Sequence, residues 1–227
     1  AHLLACLTIV IWGTTFIVSK ILLETFSPLE ILCIRFSLGA FGLMCIEFFM
    51  YRKQPKRHIS FRQELIFFGA GLSGVTVYYL LESIALTHTF ASNVGIIVSI
   101  APLTTALFVP LFLKEERLAF RVLLGFIIAS AGVALVMFNG TVFFQLRPLG
   151  DILAILSTFG WACYSILLKK IDTSATPVIT YTKKIFLYGL LTMIPFITTS
   201  KVHFLRADFS LQHIVLLLFL GLGASAA

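Results

Sequence analysis

The sequence predicts an all-α integral membrane protein built on an internal repeat. Three observations carry this. Of the 227 residues, 59% are hydrophobic and 12% are charged, and mean hydropathy is +1.03. A water-soluble domain needs far more polar surface than that. The apolar residues run in continuous stretches of about 20, the length of helix that crosses about 30 Å of hydrocarbon. Residues 12–44 also reappear, reshaped, at 161–193. Trp12, Lys20, Pro28 and Arg35 match Trp161, Lys169, Pro177 and Lys184, each 149 residues later. A second echo sets Phe67–Ser73 against Phe219–Ser225, sharing the phenylalanine, both glycines and the serine.

The apolar runs predict helices over 3–23, 28–50, 64–86, 92–113, 119–139, 149–170 and 177–199, and an eighth from about 212. Strands are excluded, since the runs lack a period of two and open sheet edges cannot face lipid. Ser27-Pro28-Leu29-Glu30 is a capping box with proline at the first helical position. Ser60 to Gln63 reads as another, and Thr176-Pro177 as a weaker copy of the first. Pro102, Pro110 and Pro195 fall inside predicted helices. Each removes a backbone bond and frees the carbonyl four residues earlier. Pro102 is the hinge candidate.

Basic residues collect in the loops. Arg52, Lys53, Lys56, Arg57, Arg62, Lys114, Arg117, Arg121, Lys169 and Lys170 fall on one side, against Arg147, Lys201 and Arg206 on the other. The positive-inside rule therefore places the amino terminus in the cytoplasm of a multi-pass cell-membrane protein. The net charge of +7 is an orientation signal and not a nucleic-acid footprint. Cys6, Cys33, Cys45 and Cys163 lie in apolar runs without CxxC spacing and read as buried hydrophobes. No cleavable signal peptide is visible. The chain opens without methionine and stops within an apolar run, which reads as a fragment.

The repeat divides the chain into residues 1–140 and an incomplete second unit, 149–227. Five helices in the first unit is an odd number, so the second enters the membrane from the opposite face. Such inverted repeats are the architecture of secondary transporters, in which each half adopts the shape the other has left.

Trp12-Gly13-Thr14-Thr15-Phe16, Lys20, Ser27-Pro28 and Arg35-Phe36 resemble the opening signature of the EamA family, within the drug/metabolite transporter superfamily. Ala85 to Asn93 and Ala101-Pro102-Leu103 are similar to its third and fourth helices. Leu113 to Leu118, with Gly125 and Gly132, resemble its fourth-to-fifth helix joint. The resemblance implies ten helices in two inverted five-helix repeats, about eight of them present here. It implies a central cavity formed largely by helices 1, 3, 4, 6, 8 and 9. It also implies export or exchange of small metabolites such as amino acids. The departures are the missing helices 9 and 10 and the lysine at 184.

Five charges lie in or near the membrane: Lys20, Arg35, Glu47, Glu82 and Lys184. Each costs roughly 3 kcal/mol at the bilayer centre and less near the ends. Lys20, Arg35 and Glu82 share one leaflet. They are either a structural ion-pair set that orients helices or an outer gate. Lys169 and Lys184 mirror them on the other side, with a matching acid expected near position 234. Glu47 reads as an anchor. Glu82 is also a candidate for proton coupling, since an apolar setting penalises a charged carboxylate.

Candidate substrate-binding residues are Trp12, Thr15, Phe16, Tyr78, Tyr79, Asn93, Ser99, Trp161 and Tyr164. Trp12 and Trp161 occupy matched repeat positions at mid-depth, away from the interfacial aromatic belt. The competing reading is lipid-facing packing for the aromatics and interhelical bonding for the polar residues. Small-residue spacings such as Ala70/Gly74 mark close helix contact. No HExxH, GxSxG or GxxxxGK[ST] motif occurs, so neither an enzyme nor an ATP-driven pump is expected, and no cofactor or metal. The expected partners are a small-molecule substrate and the lipid bilayer. A passive facilitator of the same fold is the alternative, with an intramembrane enzyme behind it.

Overall fold

The structure is a computed structural model. It describes residues 2–51, 59–112, 124–125, 127–128, 131, 147–173, 176–199 and 210–225. Among them there is no strand. Helices α1 (His2–Leu22), α2 (Pro28–Tyr51), α3 (Phe61–Ala70), α4 (Tyr79–His88), α5 (Ala91–Val98), α6 (Ala101–Phe112), α7 (Pro148–Lys169), α8 (Val178–Thr199) and α9 (Leu211–Leu218) follow in order. Two π-helical segments extend them: Gly71–Tyr78 joins α3 to α4, and Phe219–Ala224 continues α9. Among the described residues four spans are long and apolar enough to cross a membrane: Pro28–Met50, Phe61–His88, Ala91–Pro110 and Pro148–Lys169. The predicted helix over 119–139 lies almost wholly outside the described residues, although 124, 125, 127, 128 and 131 are helical. Lys114, Arg117, Arg121, Lys201 and Arg206 also lie outside them, as do the basic residues between 52 and 57.

Local chemistry sets the helix starts. At α2 the Glu30 carboxylate accepts from Ser27 N at 2.7 Å and Ser27 Oγ accepts from Glu30 N at 3.4 Å, completing the predicted capping box. At α3 only half of the second box forms. Ser60 Oγ accepts from Gln63 N at 3.3 Å, but the Gln63 amide reaches across to Lys170 O and Asp172 N, both at 3.3 Å. The side chain ties the start of α3 to the end of α7 instead of closing on itself. A third box, Ser210 with His213, opens α9.

The helix over 92–113 is two helices. It breaks at Ser99–Ile100, and Pro102 stands as the second residue of α6. Proline is tolerated in a first turn, where its missing N–H has no partner to lose. Pro102 therefore marks the restart after a break, and Pro110 and Pro195 are the prolines inside helices.

α2 lies along α8, and α7 packs against α4, α6 and the first π segment. Phe36, Phe67, Ile185 and Met193 form the centre of the largest buried cluster. Close approach depends on glycine. A Cβ on Gly189 would stand 2.4 Å from Val75 Cβ, and one on Gly74 would stand 2.4 Å from Tyr164 Cδ2. In lipid, where apolar burial does not drive helices together, such small-residue contacts hold the bundle. Phe41, Phe48, Phe49, Phe61 and Ile128 face outward, as expected for surfaces that meet acyl chains.

Candidate functional site

α1, α2, α4, α7 and the first π segment bring six aromatic rings together. Trp12 meets Trp161 edge-on at 6.1 Å between ring centroids. Trp161 also touches Tyr78 at 5.1 Å and Tyr164 at 5.4 Å. Tyr78 packs on Tyr79 at 4.7 Å, and Tyr79 on Phe36 at 5.0 Å. Trp12 lies about 15 Å along α1 from Leu22, and Trp161 about 12 Å along α7 from Lys169, at 1.5 Å per residue. The cluster sits at mid-depth. Phe16 stays out of it and packs with Ala85, Leu86, Val94 and Ala154.

Arg35 and Glu82 adjoin the cluster, both almost fully buried. The Arg35 guanidinium lies over the Tyr79 ring at 4.5 Å. Its Nε donates to Ser225 Oγ at 2.7 Å, and its Nη2 is 3.5 Å from the Tyr79 hydroxyl. Ser225 Oγ in turn donates to Leu220 O across the second π segment. Glu82 follows Tyr78 by four residues along the same helical run. Among the described residues no direct ion pair joins Arg35 to Glu82.

Lys20 contacts neither of them. Its ammonium donates to the carbonyls of Leu86 and Thr89, the latter at 3.0 Å, and so satisfies free acceptors at the end of α4. Beside it Asp151, also buried, accepts from Arg147 N at 2.9 Å, Thr89 Oγ1 at 2.9 Å and Asn93 Nδ2 at 3.4 Å. This network fastens α1, α4, α5 and α7 at one end of the bundle. Asn93 belongs to it and not to the aromatic cluster. The sequence reading missed Asp151. Its signal was an acid three residues after Pro148, in the first turn of a membrane helix.

At the opposite end Lys184 pairs with Glu64, which also accepts from the Tyr188 hydroxyl at 2.7 Å. Lys183 pairs with Glu47, which accepts from Thr180 Oγ1 at 2.7 Å. Lys184 thus pairs with an acid on α3, and Glu47 is an ion-pair partner rather than a lone anchor. Lys169 ends α7. Thr15 and Ser99 turn back on their own helices, donating to Trp12 O at 2.6 Å and Ile96 O at 2.6 Å. Thr76, absent from the sequence reading, links the π segment to α8 through Gly189 O at 3.0 Å and Thr192 at 2.6 Å.

Comparison with known proteins narrows the class. A family model described as the EamA-like transporter family matches residues 1–138. A protein of Archaeoglobus fulgidus, named only an uncharacterized transporter, is 34% identical over 206 residues, covering 88% of this chain and 67% of its own. A probable amino-acid metabolite efflux pump of Escherichia coli is 28% identical over 199 residues, covering 88% of this chain and 63% of its own. A solved crystal structure, 18% identical, superposes on 96% of this chain and 72% of its own with a TM-score of 0.67. It shares the fold.

Proposed function

The chain belongs to the EamA-like transporter family, and from that premise we propose that it carries amino acids or similar small metabolites across the membrane by alternating access. The coarser statement, a multi-pass membrane transporter, follows from the family itself. The finer one rests on one observation. Trp12 and Trp161, matched positions in the two repeats, meet ring to ring at mid-depth. A binding site at the interface of two inverted repeats is what alternating access requires. On this reading residues 1–140 and 149–227 are the two units, the amino terminus is cytoplasmic, and the contact between the units is made where the solute binds. The networks at Lys20/Asp151 and at Lys184/Glu64 are then the closures at the two ends. The efflux pump of Escherichia coli supports amino acids as the first class to test and export as the direction.

The test is counterflow of labelled amino acids in proteoliposomes holding the full-length protein. Saturable exchange, accelerated by substrate on the opposite side, is the expected result. Flux that neither saturates nor responds to internal substrate would replace the carrier with a passive facilitator.

A further inference from the structure

We propose that Arg35 and Glu82 form a split seat for a zwitterion, Arg35 taking a carboxylate and Glu82 an ammonium group, with the solute's side chain lodged among Trp12, Trp161 and Tyr164. The inference rests on the carrier reading above and assigns its polarity. Three observations support it.

The first is that the two charges are buried, adjacent and not paired with each other. Glu82 is 4% exposed and Arg35 3% exposed. A buried ion pair gains its Coulomb energy only through close, hydrogen-bonded geometry. Here Arg35 is held by Tyr79 and Ser225 and makes no direct pair with Glu82. A solute carrying both charges complements both groups at once. A singly charged solute leaves one of the two without a complement.

The second is the way Arg35 is fixed. Tyr79 stacks beneath the guanidinium at 4.5 Å, and Ser225 takes Nε at 2.7 Å. Both contacts orient the plane without using its terminal edge. That edge carries the parallel N–H pair that grips a carboxylate with two hydrogen bonds. The Tyr79 contact at 3.5 Å is at the weak limit of hydrogen bonding. A lysine would supply neither the plane nor the fork.

The third is the order of chemistry along the membrane normal. Arg35 lies about 10 Å from the start of α2 and Glu82 about 9 Å from the end of α4, whereas Trp12 lies about 15 Å from the end of α1. Tyr79 and Tyr78 bridge the charges to Trp161. Charged groups therefore stand above an apolar, aromatic floor. An amino acid with an apolar side chain has the same order, a zwitterionic head and an apolar tail.

The experiment uses the full-length protein in proteoliposomes, exchanging labelled phenylalanine, or leucine if phenylalanine is not carried. Competitors keep the side chain and change the head: the amino-acid amide and the amine lack the carboxylate, and the deaminated acid lacks the ammonium group. For the wild type each should compete about 10- to 100-fold less well than the amino acid, the effect of one charge-assisted hydrogen-bonded contact. Arg35→Gln should bring the acid-to-amide ratio close to one while leaving the penalty for the deaminated acid. Glu82→Gln should do the reverse. Arg35→Lys, which keeps the charge and loses the fork, should give an intermediate ratio. Competition by amide, amine and deaminated acid as strong as by the amino acid would overturn the seat and leave the carrier standing. So would a folded Arg35→Gln protein that keeps the wild-type ratio. The wild-type series can overturn the seat even if no variant folds. A folded wild type that exchanges no amino acid at all would overturn both the seat and the amino-acid reading.

Discussion

Asp151 is a decisive place to perturb the account, because three donors converge on one buried carboxylate. Arg147 N reaches Oδ2, and Thr89 Oγ1 and Asn93 Nδ2 reach Oδ1. Asp151→Ala removes all three acceptors. The Thr89 hydroxyl can turn to a carbonyl one turn back on its own helix, and it still accepts from Asn93 at 3.2 Å. The Arg147 N–H and the Asn93 amide each lose their Asp151 acceptor. A buried unsatisfied donor costs about 1–3 kcal/mol. Arg147 is exposed, so water can take over its N–H, and the loss is about 1–3 kcal/mol. For a chain of this size each kcal/mol moves the melting point by about 2–4 °C, so the drop should be about 3–12 °C. Asp151→Asn keeps one acceptor oxygen and should lose about half as much. The assay is thermal unfolding in detergent, followed by monodispersity on size-exclusion chromatography. Asn93→Ala should add little once Asp151 is Ala, since the two share one bond. A melting point of Asp151→Ala within 2 °C of wild type would refute the claim that this network fastens the bundle.

Other consequences are as direct. Gly189→Ala places a methyl group 2.4 Å from Val75 Cβ, an atom no rotamer change can move. It should lower stability by about 1–3 kcal/mol, read as a lower melting point, while Gly13→Ala, with open space around it, should not. Reversing the ion pair with Glu64→Lys and Lys184→Glu together should recover transport lost in either single variant. The same reversal at Arg35 and Glu82 should fail, because those two groups make no direct pair. If Glu82 carries a proton, Glu82→Gln should exchange substrate at a rate indifferent to an imposed pH gradient; unchanged gradient dependence rules it out.

Much of the fold was legible because the bilayer makes the rules strict. Most helix positions follow from the length of apolar runs, although the run over 92–113 breaks in two, and the Ser27–Glu30 cap formed as its spacing required. The meeting of Trp12 and Trp161 was prefigured by their matched repeat positions. What escaped depends on how helices rotate against one another. Nothing local says that Lys184 meets Glu64, 120 residues earlier, or that Lys20 turns to backbone carbonyls instead of to Glu82. The π segment over 71–78 was hidden for the same reason. Ala70 and Gly74 were readable as contact points, but the wider turn appears only once Gly74 and Val75 are packed against Tyr164 of α7 and Gly189 of α8. Ser99 and Thr15 showed the opposite bias: polar residues in apolar helices attract functional readings, yet their own backbone is the nearest acceptor.

The central claim is that solute binds where the two repeats touch, and the chain's two tryptophans, Trp12 and Trp161, both stand there. Tryptophan emission of the full-length protein, titrated with a non-fluorescent amino acid that it exchanges, tests this directly. The account predicts a saturable change in emission, half-complete near the concentration that half-saturates counterflow and lost in a Trp12→Phe, Trp161→Phe protein. Saturable exchange with no change in emission from these two residues would place the solute elsewhere and contradict the account.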